Sequence, residues 1–133
     1  MRMKVFLSEK FSNDMFREVH SVLMQGNVRK PNLIGKYRTG QNYIGKNQTV
    51  IFVPPKPSDV PDLMDNLISY INAPSDSLRP LVRVAIIHAQ FETIHPFMDG
   101  NGRVGRMLIP LYMFYAKQIE LPCFFIKYNK KRN

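Results

Sequence analysis

The chain has 133 residues, 44% of them apolar, which fits one compact domain with a real core and leaves no room for a second. Its 19 Lys and Arg against 10 Asp and Glu give a net charge of +9, which suggests an anionic partner without choosing between nucleic acid, a phosphorylated ligand and an acidic surface. No apolar run approaches the ~20 residues of a membrane span, and Glu9-Lys10 cut off any signal-peptide core after the basic start, so neither a membrane span nor a signal peptide is expected.

From Ser12 or Asn13 to Gln25, Phe16, Val19 and Leu23 recur at helical spacing, and Gly26 suits the left-handed position after a helix. His20 lies beside that stripe and reads as a structural or surface histidine. Between Gly35 and Val53, glycines 35, 40 and 45 punctuate the chain and Thr49-Val50-Ile51-Phe52-Val53 is β-branched and aromatic, which predicts a strand pair or an extended flap. Pro54-Pro55-Lys56-Pro57 must be extended. Ser58 or Asp59 then caps a helix with Pro61 in its first turn and Leu63, Met64, Leu67, Ile68 and Ile71 on one face. Ser75 to Ser77 end it.

Pro80 opens a further helix, in which Leu78, Leu81, Val82, Ala85, Ile86, Ala89 and Phe91 are expected to form the buried surface of the central helix. The almost wholly apolar run from Val104 to Lys117 predicts a helix buried on most sides and kinked at Pro110. The single Cys123 cannot form an internal disulfide, which points to a reducing cytoplasm. Lys127, Lys130, Lys131 and Arg132 crowd the C-terminal tip, where a solvated tail is expected. The whole is mainly helical, with one extended excursion.

The chemistry concentrates in twelve residues, His95-Pro96-Phe97-Met98-Asp99-Gly100-Asn101-Gly102-Arg103-Val104-Gly105-Arg106. Gly100-Asn101-Gly102-Arg103 stands where a helix begins. There, free backbone N–H groups and the positive end of the helix dipole attract phosphate. Arg103 and Arg106, three apart, can clamp a polyphosphate. A carboxylate at Asp99 would repel that ligand unless a cation such as Mg²⁺ lay between them. His95, with an ordinary pKa near ~6.5, suits a general base acting on an acceptor hydroxyl. Glycine turns, paired arginines and lone histidines are each common in ordinary structural settings; their concentration in workable order carries the inference.

This stretch resembles the Fic motif, H-x-F-x-[DE]-G-N-G-R-x-x-R, with every specified position filled. Gly35 to Gly45 and Phe52-Val53-Pro54-Pro55 resemble the flap of the bacterial filamentation-protein group, and Ala89 to Ile94 its lead-in helix. The similarity runs from about Val19 to about Phe125. It implies an all-α Fic fold with a short β-hairpin flap. The activity implied is protein adenylylation, the transfer of AMP from ATP to a Ser, Thr or Tyr hydroxyl with release of pyrophosphate. It further implies His95 as general base and Asp99 as the Mg²⁺ ligand. Gly100, Asn101, Gly102 and Arg103 would cradle the α- and β-phosphates and Arg106 the terminal one. Ile44, Gly45, Phe52 and Val53 would cover the nucleotide and align a protein target by strand addition.

Relatives that phosphorylate usually replace the second motif glycine with lysine, and Gly102 argues against that. The inhibitory pattern [ST]-x-x-x-E-[GN] of many relatives is absent, since Val5, Asp14, His88 and Ala116 stand four residues before the four glutamates. Beside the family, the chain looks shortened at both ends, with the helices that follow Phe124-Phe125-Ile126 elsewhere missing. Constitutive activity or an antitoxin-like partner that donates the glutamate would follow. Removal of AMP would need such a donated glutamate. A non-catalytic, basic remnant is the alternative from another class, and nucleic acid is the less favoured partner. The oligomeric state is left open.

Overall fold

The computed structural model describes residues 10–26, 31–73 and 77–119. The basic start through Glu9, Ser75, Cys123, Phe124 to Ile126 and the basic tip lie outside the described residues.

Among the described residues four helices carry the fold: α1 (Asn13–Leu23), α2 (Val60–Asn72), α3 (Pro80–Ile94) and α4 (Asn101–Tyr115). A two-stranded antiparallel sheet, β1 (Ile44–Lys46) and β2 (Thr49–Phe52), lies between α1 and α2 in sequence. Among the described residues no helix is long and apolar enough to cross a membrane.

Each helix start follows local chemistry. The Ser12 hydroxyl accepts from the Met15 amide at 3.2 Å and caps α1. Pro61 and Pro80 occupy first-turn positions, where a missing N–H costs nothing. The cap of α2 falls at Asp59, without the side-chain bond expected of it, because a 3₁₀ turn over Pro57–Asp59 already leads into the helix. Gly26 is left-handed, at φ 77°, just beyond α1.

The hairpin turns at Asn47 and Gln48, both at positive φ (53° and 64°), the signature of a tight turn whose twist matches the strands. Ile44 pairs with Phe52, and the ladder slips between Ile44 and Gly45. All four residues of β2 are exposed, so packing does not hold the hairpin down. Its base is tied instead: Gln41 donates to the Pro54 carbonyl at 3.0 Å and Asn42 to the Met98 carbonyl at 3.0 Å.

The core lies where α3 and α4 meet, with α1 against α4 and α2 against α3. Phe16 stacks on Phe91 with centroids 5.6 Å apart, and Met64, Leu67, Ile71, Ile87, Val104 and Leu108 close around them. Asn72 at the end of α2 exchanges two bonds with the Phe11 backbone, at 3.0 and 2.8 Å, and joins both helices to that core.

The expected buried surface of α3 is corrected here. Its core residues are Val84, Ile87, Phe91 and Ile94, whereas Leu81 is 69% exposed and Val82, Ala85, Ile86 and Ala89 are also exposed. Of the residues assigned to that surface, only Phe91 is buried. The helix is apolar nearly all round, so composition alone could not orient it. Helix α4 is likewise buried on one side: Val104, Leu108, Leu111 and Tyr112 face the core and Ile109 does not. Pro110 sits within it and leaves the Arg106 carbonyl without its regular intrahelical donor.

Truncating Phe91 to alanine should lower stability by about 3–5 kcal/mol, while Leu81→Ser should stay within about 0.5 kcal/mol. Urea unfolding of the two variants checks this assignment of faces.

Candidate active site

The loop from His95 to Gly100 joins α3 to α4 and carries most of the motif. His95 caps α3 in the left-handed region, φ 53° and ψ 58°, which a residue with a side chain adopts at a cost of about 1–3 kcal/mol. That conformation breaks the helix and turns the chain towards α4. Phe97 is fully buried under the loop, and the Asn101 side chain closes it from the other end. The Asn101 amide donates to the Phe97 carbonyl at 2.7 Å, and its oxygen accepts from the Phe97 N–H at 2.9 Å. Asn101 was expected in the phosphate cradle; its side chain braces the loop, and its backbone N–H is what remains for an anion.

Helix α4 begins without a side-chain cap. Gly100, at φ 87°, occupies the cap position, and a Cβ there would lie 2.5 Å from Met24 Sδ, so only glycine fits. The Val104 N–H bonds back to the Gly100 carbonyl at 3.0 Å, and the Gly100 N–H bonds to Asp99 Oδ1 at 2.7 Å. The N–H groups of Asn101, Gly102 and Arg103 come next, in the first turn, where no intrahelical acceptor exists. They have no side-chain acceptor among the described residues. Three uncapped donors on a helix start form a cradle for an anion.

Two arginines flank this cradle. Arg103 is exposed and donates to Met24 Sδ at 3.1 Å. Arg106 folds back over Gly102, its guanidinium 3.2 Å from where a Cβ would stand, so glycine keeps the two close. Among the described residues no carboxylate pairs with Arg106. The Asp99 side chain is exposed. No group of three or more metal-ligating residues exists among the described residues, so Asp99 would be a solitary ligand. That fits Mg²⁺, which takes one or two protein carboxylates and completes its shell with water and phosphate.

His95 is half-buried, and its Nδ1 is enclosed without a hydrogen-bond partner. Burial pushes the ring's pKa down. The Glu92 backbone and carboxylate pull it up in part, although the Glu92 carbonyl does not reach hydrogen-bonding geometry with Nδ1, and the Arg38 charge lowers it further. Burial thereby favours the neutral ring, the form that can take a proton.

His20 supports this loop from α1, a role its sequence position did not reveal. It is 3% exposed. The Gly35 N–H donates to Nδ1 at 2.9 Å, so Nε2 carries the proton and donates to the Asp99 carbonyl at 2.8 Å. The ring also stacks on Phe97, centroids 4.0 Å apart. Burial lowers its pKa, against a smaller rise from Asp99. Arg38, within the Gly35 to Gly45 stretch that resembles the flap, is buried too. Its Nε donates to the His95 carbonyl at 2.7 Å. The flap residues Ile44, Gly45, Phe52 and Val53 lie in and just after the hairpin, whose base the Asn42–Met98 bond fastens to the motif loop.

The structure thus brings a half-buried histidine and an uncapped, arginine-flanked helix start together through one braced loop, to which the base of an exposed hairpin is tied. The comparisons place the chain in a family. The sequence profile of the Fic/DOC family matches residues 10–113, and the chain belongs to that family. Protein adenylyltransferase fic-1 of Caenorhabditis elegans is 34% identical over 106 residues, which cover 79% of this chain and 20% of that protein. Protein adenylyltransferase Fic of Drosophila willistoni is 40% identical over 83 residues, covering 62% and 16%. A Fic family protein from Desulfovibrio desulfuricans G20 superimposes with a TM-score of 0.67 at 34% identity, over 80% of this chain and 31% of its own. A Fic domain containing signaling protein from Bacteroides thetaiotaomicron gives 0.70 at 26% identity, over 83% and 41%. The chain therefore spans about a fifth or less of the length of these curated relatives.

Burial lowers the proton affinity of buried His20 and half-buried His95 in the folded chain, and both regain an ordinary affinity, near ~6.5, when unfolded. The unfolded chain then binds more protons than the folded one as pH falls through that value, and stability is lost with it. The urea midpoint should be lower at about pH 5.5 than at about pH 7.5, and His20→Gln should reduce the difference. Equal midpoints at both pH values in the unaltered protein would contradict the burial argument.

Proposed function

We propose that this domain transfers AMP from ATP to a hydroxyl of a protein, either a target or the domain's own chain. The observation that carries this reading is the run of unpaired N–H groups at Asn101, Gly102 and Arg103, set beside the Arg106 guanidinium and one braced loop away from the neutral His95 ring. The adenylyltransferase names of the curated relatives support AMP as the group moved. Gly102 supports it too, because relatives that phosphorylate usually carry lysine at that position.

In this reading the ATP phosphates lie on the start of α4, with the helix dipole and both arginines offsetting their charge. Asp99 is the residue that would hold Mg²⁺, which when bound would screen the phosphate charge that Asp99 would otherwise repel. The target hydroxyl gives its proton to His95 Nε2, and its oxygen bonds to the α-phosphorus. The bond from that phosphorus to the bridging oxygen breaks, and pyrophosphate leaves. The three backbone donors are fixed before the substrate arrives, so the developing charge meets dipoles that need no rearrangement. The exposed edge of the hairpin would receive the target as an added strand, with main-chain bonds positioning a Ser, Thr or Tyr.

Two further parts of the reading rest on Arg106, which no carboxylate opposes among the described residues, and on Cys123. The site is restrained, if at all, by an acidic side chain from another segment or from an antitoxin-like protein. The lone Cys123 supports a cytoplasmic setting.

Incubation with Mg²⁺ and ATP labelled on the α-phosphate should label protein, and label on the γ-phosphate should not. His95→Ala should reduce the transfer by about 10²-fold or more, the scale of a lost general base. Label from the γ-position, or transfer undiminished in His95→Ala, would overturn the reading.

A further inference from the structure

Arg38 is 3% exposed and has no carboxylate partner among the described residues. Its guanidinium donates only to backbone carbonyls: Nε to His95 at 2.7 Å, one terminal nitrogen to Pro55 at 2.7 Å and Ile94 at 3.2 Å, and the other to Gly40 at 3.3 Å. Its own N–H donates to the Pro96 carbonyl at 2.8 Å. Two of these acceptors, Gly40 and Pro55, bracket the hairpin, and the other three are consecutive residues at the end of α3. The arrangement is costly, because a cation is removed from water with no counter-charge beside it among the described residues. A neutral side chain would avoid that cost but could not reach four carbonyls in fixed directions. The planar five-donor fork of arginine can.

We propose that Arg38 is a positioning residue that locks the backbone of His95 to both ends of the flap, so that the base and the strand that receives the target are held as one unit. This rests on the function proposed above, in which His95 and the hairpin act on the same hydroxyl. The left-handed backbone of His95 makes the lock necessary. A non-glycine residue there is strained, and the Nε bond to its carbonyl fixes which way the peptide, and with it the ring, points. The hairpin has the matching need: β2 is wholly exposed, and bonds at its base take the place of packing.

Two charged groups act on the His95 ring, Glu92 from α3 and Arg38 from the segment before the flap. Replacing Arg38 therefore changes the ring's titration as well as its placement, which a purely structural role would not do.

The test compares Arg38→Lys, which keeps the charge and loses the fork, with Arg38→Gln, which loses the charge, and with Arg83→Lys as control. Arg83 is another buried arginine that donates to a carbonyl, that of Tyr70, away from the flap. In Arg38→Lys, kcat for AMP transfer should fall by about 10²-fold while KM for ATP stays within about threefold, because misplacement of the base leaves the phosphate cradle intact. Amide exchange of the strands Ile44–Lys46 and Thr49–Phe52 should accelerate in both Arg38 variants and not in Arg83→Lys. The His95 ring, followed by NMR, should titrate at higher pH in Arg38→Gln than in the unaltered protein. Unchanged strand exchange in both Arg38 variants, an unchanged His95 titration in Arg38→Gln, or the same changes in Arg83→Lys, would overturn the proposal. If the unaltered protein transfers no AMP, the function is refuted, and the exchange and titration measurements still decide whether Arg38 is the lock.

Discussion

Asn101 turns its amide inward and exchanges two hydrogen bonds with the Phe97 backbone, and the geometry of the site follows from that exchange. It brings the two ends of a tight loop together at the point where a helix must begin. With the loop closed, the first turn of α4 cannot take its cap from the preceding side chains, and three amide donors are left facing outward. An ordinary helix would satisfy them with a serine or aspartate. Here Asp99 caps only the Gly100 N–H and keeps its carboxylate at the rim.

The loop is then held from two further sides, each by a buried side chain that makes bonds only to backbone. His20 reaches the Asp99 carbonyl and lays its ring on Phe97, while Arg38 reaches the carbonyls of Ile94 and His95. Each also reaches a second part of the chain: His20 to Gly35, and Arg38 to both ends of the hairpin. The motif loop and the hairpin are separated by α2 and α3 in sequence, yet side-chain bonds to backbone make them neighbours. A site built on two mobile loops would have to order both when substrate binds. Cross-bracing provides that order in advance, which is the structural content of preorganisation.

The parts legible in the sequence share one property: their residues are close together in the chain. Helices α1 and α2 announced themselves through apolar spacing and prolines, and the hairpin through its β-branched run. The uncapped helix start at Asn101 was readable because it needs only a few consecutive residues. What the sequence hid was long-range. His20 stands 79 residues from the carbonyl it supports and Arg38 stands 57 from the His95 carbonyl, and nothing local marks either as buried. Asn101 was read as part of the cradle because the motif is written as a string, whereas its side chain belongs to the loop behind it. The face of α3 was misassigned for the opposite reason. Apolar residues surround that helix, so the periodicity that orients an amphipathic helix is lost, and only packing against α2 and α4 distinguishes Ile87 from Ile86.

The central claim is that the start of α4 is a ready-made phosphate cradle that changes little when the nucleotide arrives. Amide NMR during titration with Mg²⁺ and a non-hydrolysable ATP analogue tests it most directly. The account predicts large shifts for the Asn101, Gly102 and Arg103 amides, with Phe97 and the core of α3 and α4 nearly still. Binding without movement of those three resonances, or a rearrangement spread through the core, would contradict it.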